Sequence, residues 1–226
     1  MAKASKPVAI VVGVGPGLGA ALVRRFAKEG LAVAMAARQG DRLASLAKET
    51  GGKAYGCDAT VETAVDDLFA AVARDFGHPN LVVFNAGGFA RKSIADLLVA
   101  DIEHTWRSNC LGGFLVGRAA ARAMLPAGQG TIIFTGATAA MRGGANFAAF
   151  AMGKFGLRAL AQSMARELGP KGIHVAHTII DGQIGENAEA TKLSPAAIAD
   201  AYWHLHRQAK SAWTQELDLR PWAEKF

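Results

Sequence analysis

Val8-Ala9-Ile10-Val11-Val12 runs without a polar residue into Gly13-Val14-Gly15-Pro16-Gly17-Leu18-Gly19-Ala20. This junction decides the fold. An apolar, largely β-branched run that ends at a glycine cluster reads as a strand buried on both faces. Leu18, Leu22 and Phe26 then recur at helical spacing, and Gly30 stops that helix. A buried strand, a glycine turn and an amphipathic helix therefore follow one another directly.

The same alternation continues along the chain. Leu31–Ala37 is a second apolar run, and Asp41 is placed to cap a helix carrying Leu43, Leu46, Ala47 and Thr50 on one face. Ala54–Cys57 reads as a third strand, followed by a helical stripe of Val61, Val65, Leu68, Val72 and Phe76. Leu81–Phe84, Thr131–Phe134 and His174–Ile180 read as the next strands, with long helices within Ile102–Met124 and over Phe147–Leu168. Ser194-Pro195 starts a helix that reaches Ala209 and buries Ile198, Tyr202 and Leu205, with Ser194 as its cap. Gln215–Leu219 reads as a last edge strand. The pattern predicts an α/β protein: one doubly wound Rossmann-fold domain over residues 1–226, with about seven parallel strands and helices on both faces. In such a sheet, ligands sit beyond the carboxyl ends of the strands.

Composition narrows the classes. Half of the 226 residues are apolar, enough for a large core and against disorder. The formal charge is +6, but the lysines and arginines are scattered along helix faces rather than massed, so a nucleic-acid partner is not expected. Cys57 and Cys110 lie far apart without metal-ligand spacing, which points to a reducing, cytoplasmic setting. Met1–Lys6 is polar and Val8–Val12 is too short for a signal or a membrane span. The histidines form no metal site: His174 and His177 fall on opposite faces of a strand, and His204 and His206 diverge on a helix.

The glycine turn carries the first chemistry. Gly15, Gly17 and Ala20 match G-x-G-x-x-A in the strand–turn–helix context that gives the motif meaning. Glycine lets a backbone approach closely, and the helix N-terminus offers N–H groups and a positive dipole end to a pyrophosphate. The second strand ends at Arg38 rather than at an acid that would bind a ribose 2′-hydroxyl. A guanidinium there suits a 2′-phosphate, so NADP is expected, with NAD the alternative.

Further motifs fall in order. They are Gly13-x-x-x-Gly17-x-Gly19, Asp58 after the third strand, Asn85-Ala86-Gly87 after the fourth, Asn109 in the long helix and Lys154. From about Val8 to Gly182 the chain resembles the short-chain dehydrogenase/reductase family. That resemblance implies cofactor contacts from Gly13, Gly15, Gly17, Leu18, Gly19, Arg38, Asp58, Ala59, Asn85, Ala86, Gly87, Lys154, Gly182 and Ile184. Within it, Asp58 would take the adenine amino group, Lys154 the nicotinamide ribose, and Asn109 a water of the proton relay. It also implies a small-molecule carbonyl or alcohol substrate, homodimers or homotetramers built on the helices flanking the fifth strand, and a lid or interface over residues 183–226.

The departures cluster at the chemistry. Phe150 stands four residues before Lys154, where the family's proton-donating tyrosine belongs. The serine position is Ala137, with Thr138 beside it and Thr135 near, so Thr138 is the candidate substitute. Val12 replaces a threonine, Asp181-Gly182 stands for Pro-Gly, and Glu186 replaces the threonine or serine that binds the carboxamide. Three readings follow: an oxidoreductase whose proton comes from Lys154, Tyr202 or an Asn109-bound water; an NADP(H)-binding sensor or partner subunit; and a cofactor-free scaffold. The intact glycine loop, Arg38 and Asp58 argue against the last.

Overall fold

In the computed structural model, which describes residues 6–185 and 191–223, the opening apolar run forms β1 (Val8–Val12), buried along its whole length. The glycine turn leads into α1 (Leu18–Lys28), then β2 (Ala32–Ala37), α2 (Ala44–Thr50), β3 (Lys53–Gly56), α3 (Glu62–Asp75) and β4 (Leu81–Phe84). The second half runs α4 (Val99–Trp106), α5 (Gly112–Met124), β5 (Gly130–Thr135), α6 (Ala148–Leu168) and β6 (Ile173–Ile180). It closes with a short pair β7 (Gln183–Ile184) and β8 (Lys192–Leu193), then α7 (Pro195–Arg207) and β9 (Glu216–Leu219).

Seven strands form one parallel sheet in the order β3-β2-β1-β4-β5-β6-β9. The order reverses between β1 and β4, which opens a crevice at the carboxyl edge. Register keeps that edge level: Val12 stands opposite both Ala36 and Phe84, and Phe84 opposite Phe134. One face of the sheet packs on α3, α5 and α6 through residues such as Val65, Val116 and Leu157. The other packs on α1, α2 and α7 through Leu22, Leu46 and Tyr202. Two covered faces explain why the strands read as continuous apolar runs rather than alternating ones.

Three expectations need correction, and that of Ser194 at the start of α7 holds in position. Asp41 does not cap α2; it lies inside a single 3₁₀ turn, Gly40–Leu43, that precedes the helix. The long helix expected within Ile102–Met124 is two helices, α4 and α5, joined by a π-helical turn over Arg107–Leu111. Ser194 sits at the cap position of α7 with Pro195 at the first turn, but makes no side-chain cap hydrogen bond. Nor is α7 a lid. It packs along α1 and buries Ile198, Ala199, Tyr202 and Leu205 in the core. Trp203 meets Phe26, and Trp213 stacks flat on His174 at 4.9 Å.

Candidate active site

The glycine turn is shaped by contact on one side and space on the other. Gly13 has φ +92°, and a Cβ there would lie 2.3 Å from the Ala86 backbone nitrogen. Asn85 bonds the same loop, its Nδ2 donating to Gly13 O at 3.0 Å. By contrast, a Cβ on Gly15 or Gly17 would meet nothing within 4 Å. That open side, beside an α1 N-terminus without a side-chain cap, is room for a phosphate-bearing group. Leu18 and Gly19 turn inward: the Leu18 side chain is buried in the core, and Gly19 sits against Val14. Any cofactor contact from Leu18 is therefore through its backbone.

Two recesses continue from this turn. One, of about 400 Å³, is lined by Gly13, Arg38, Asp58, Ala59, Asn85 and Gly87, among others. The amide and hydroxyl of Thr60 both donate to Asp58 Oδ1, at 2.9 and 2.8 Å. These bonds, with the amide bond the strongest, hold its carboxyl below the usual range. The other, of about 800 Å³, has Arg38 and Arg42 in its wall, with Ser45 and Arg24. Arg24 is engaged by Glu49 in a bidentate pair. Arg42 was missed in the sequence; its signal is the Arg38-x-x-x-Arg42 spacing, which carries a second cation back across the turn.

A third cavity, of about 780 Å³, lies across β4, β5 and β6 and is lined by Asn109, Phe150, Lys154, Thr138, Gly182 and Ile184, among others. Lys154 lies at its inner end, buried, with Nζ donating to Thr135 O at 2.8 Å. Burial alone lowers its pKa to about 8. The Phe150 ring stands one helical turn back, its centroid 5.7 Å from Nζ. Asn109 Nδ2 donates to Thr105 O and Gly88 O, both at 2.8 Å, while its Oδ1 is buried without a partner among the described residues. A Cβ on Gly87 would come 2.8 Å from that oxygen and 3.7 Å from Lys154 Nζ. The orphan acceptor and the ammonium thus face one space. The π turn is what brings Asn109 there, since its extra residue re-aims the side chain.

Two candidate donors behave differently from expectation. Thr138 donates its hydroxyl proton to Asp181 Oδ1 at 2.5 Å, so that proton is not directed at a carbonyl in the cavity. Asp181 is buried; desolvation works against its charge, yet the hydrogen bonds from Thr138 and Arg220 keep its pKa below the usual range. Tyr202 is fully buried on the opposite face of the sheet, its hydroxyl bonded to those of Thr135 and Thr178, and burial raises its pKa to about 12. Its side chain does not line the cavity and meets it only through Thr135. Glu186 lies outside the described residues. Among the described residues no group of three or more His, Cys, Asp or Glu could hold a metal, and no helix is long and apolar enough to cross a membrane.

A doubly wound parallel sheet with a glycine turn opening at its topological switch point defines a dinucleotide-binding α/β protein. Residues 7–193 match the short chain dehydrogenase family, and the chain belongs to it. It is 33% identical over 196 residues to the sorbitol-6-phosphate 2-dehydrogenase of Escherichia coli, covering 83% of this chain and 75% of that enzyme. A short-chain dehydrogenase from Rhodopseudomonas palustris is similar at 44% identity with a TM-score of 0.87, over 95% of this chain and 98% of its own. A metagenomic short-chain oxidoreductase solved with NADP is similar at 29% identity with a TM-score of 0.86, over 96% and 97%.

Proposed function

We propose that the chain is an NADP(H)-dependent oxidoreductase acting on small carbonyl or alcohol compounds, with Lys154 as the proton donor in place of the absent tyrosine. One observation carries this reading: a buried lysine of lowered pKa shares a space with the unpartnered oxygen of Asn109 at the inner end of a cavity. The cofactor, when bound, supplies the hydride. Lys154 Nζ gives its proton to the carbonyl oxygen as that oxygen becomes an alkoxide. A water held at Asn109 Oδ1 returns the proton to Nζ. Phe150 occupies the tyrosine's station and keeps its bulk without its hydroxyl. Thr138, its proton committed to Asp181, positions the loop rather than polarising the carbonyl.

The pH dependence follows. The donor is the ammonium form, and burial sets its pKa at about 8. Carbonyl reduction at saturating cofactor is expected to hold below that pH and fall as the pH rises through it. A reduction rate still rising above pH 9 would rule out Lys154 as the donor.

The cofactor preference rests on the cation pair at the 2′ position. Arg38 and Arg42 flank one recess in which, among the described residues, the lining carboxylate is that of Glu49, already engaged by Arg24. A charge-assisted contact to phosphate is worth about 1.5–3 kcal/mol, so Arg38→Asp should weaken NADPH binding by about 10-fold or more while sparing or improving NADH. Fluorescence titration with both nucleotides checks this, and equal losses for the two would sink it.

A second reading, an NADP(H)-binding protein with little turnover, draws on the same Phe150 and on the Thr138–Asp181 bond. An aldehyde and ketone panel run with bound NADPH separates the two. The exposed Trp106, Phe114, Met152 and Phe155 on α4, α5 and α6 favour a homodimer or homotetramer formed across these helices. Phe155→Glu should then lower the sedimenting mass; an unchanged mass would place the contact elsewhere. Cys57 and Cys110 are free thiols, in keeping with a reducing, cytoplasmic setting.

A further inference from the structure

We propose that the cavity in front of Lys154 takes substrates whose ring-sized apolar body ends in a carboxylate, with the carbonyl at Lys154 and the carboxylate held by Arg91 and Arg142 at the rim. The proposal deepens the reading of this cavity as the substrate pocket of an oxidoreductase and rests on it.

Charge is the first argument. Among the described residues lining the cavity are three cations, Arg91, Arg142 and Lys154, and no aspartate or glutamate. Their depths differ. Lys154 is buried at the inner end, whereas Arg91 is exposed and the Arg142 side chain is 49% exposed. Neither arginine is consumed by the fold. Arg142 comes no closer than 3.9 Å to Asp181 Oδ1, and that carboxylate is already held by Thr138 and Arg220. Arg91 makes no hydrogen bond or ion pair among the described residues; its guanidinium lies over the Phe147 ring at 5.4 Å.

The space between the two depths is aromatic. Phe89 stands edge-on to Phe147 at 5.7 Å and to Phe150 at 5.2 Å, so three phenyl rings form one wall. Phe89 is 60% exposed, a large apolar side chain left uncovered beside the cavity. The two loops that carry the rim are tied, Lys92 N donating to Asn146 O at 3.1 Å, which keeps Arg91 and Arg142 on the same opening. A neutral polyol would leave these rings without a partner, and a purely apolar ligand would offer the two rim guanidinium groups no anion. A flat body with a terminal carboxylate satisfies both, because guanidinium matches carboxylate in a bidentate fork.

The test compares 3-phenylpropionate with 3-phenylpropionamide, which share a body and differ in charge. Calorimetric affinities are measured at low salt on the full chain, with and without NADP, for the natural sequence and for Arg91→Gln/Arg142→Gln. The acid is expected to bind about tenfold more tightly than the amide, the advantage shrinking with salt and vanishing in the double variant. Phe89→Ala should weaken acid and amide alike. Equal affinity for the two ligands, no binding of either, or an acid preference kept by the double variant would overturn the proposal. NADPH titration of the same samples separates the failures. Cofactor binding without acid preference sinks this inference alone, whereas acid preference without cofactor binding upholds the anion rim and sinks the oxidoreductase reading.

Discussion

The Phe150→Tyr variant is expected to reduce aldehydes with kcat/KM about 100-fold above the natural sequence, the lower end of what a positioned general acid contributes. The ring already stands 5.7 Å from Lys154 Nζ, on the same helical face one turn away. A phenolic hydroxyl there would be drawn toward its ionised form by the neighbouring ammonium and would take over proton delivery. The gain is placed at the lower end because, on the proposed mechanism, Lys154 would already supply the proton in the natural chain. The pH profile should change with the donor, which distinguishes a new acid from a general improvement in packing. Steady-state kinetics across a pH series on the two proteins provides the measurement. An unchanged rate with unchanged NADPH affinity would mean that the surrounding cavity, not the missing hydroxyl, limits the chemistry.

The Gly13→Ala variant should lose both stability and cofactor affinity. Its added Cβ would need to occupy space 2.3 Å from Ala86 N, in a backbone with φ +92° that an L side chain rarely adopts. Overpacking and left-handed strain together cost about 3 kcal/mol. For a chain of this length that lowers the melting temperature by roughly 10 °C. Because the displaced atoms belong to Ala86 and to Asn85, which bonds Gly13 O, the loop shifts away from the cleft and NADPH affinity falls with the melting point. Gly15→Ala is the matched control: its Cβ meets nothing, so stability should hold while the space facing the phosphates shrinks. Equal melting temperatures for the two variants would refute this division of labour.

The sheet was legible because burial on both faces forces unbroken apolar runs, and glycine or proline punctuates their ends. Strand limits agree to within about a residue; Leu31–Ala37 was expected where Ala32–Ala37 forms. What could not be read depends on partners distant in sequence. The Asn109 side chain is held beside the π turn by bonds to Thr105 O and to Gly88 O, the latter 21 residues away, and periodicity in one helix carries no trace of them. Thr138 looks like a spare serine until its hydroxyl is seen to donate to Asp181, 43 residues on. Tyr202 looks like an available acid until the sheet stands between it and Lys154. Arg38 was visible because it directly ends a strand; Arg42, Arg91 and Arg142 sit in turns and loops whose directions only the folded chain defines.

Thr135 sends its carbonyl to Lys154 and its hydroxyl to Tyr202, so one residue fastens the site to the core behind it. Phe89, Arg91 and Arg142 of the rim hang instead on two loops that Lys92 N ties together by its bond to Asn146 O. Substitution of the rings and arginines of the rim should therefore disturb the fold less than substitution of Lys154, which the sheet holds in place.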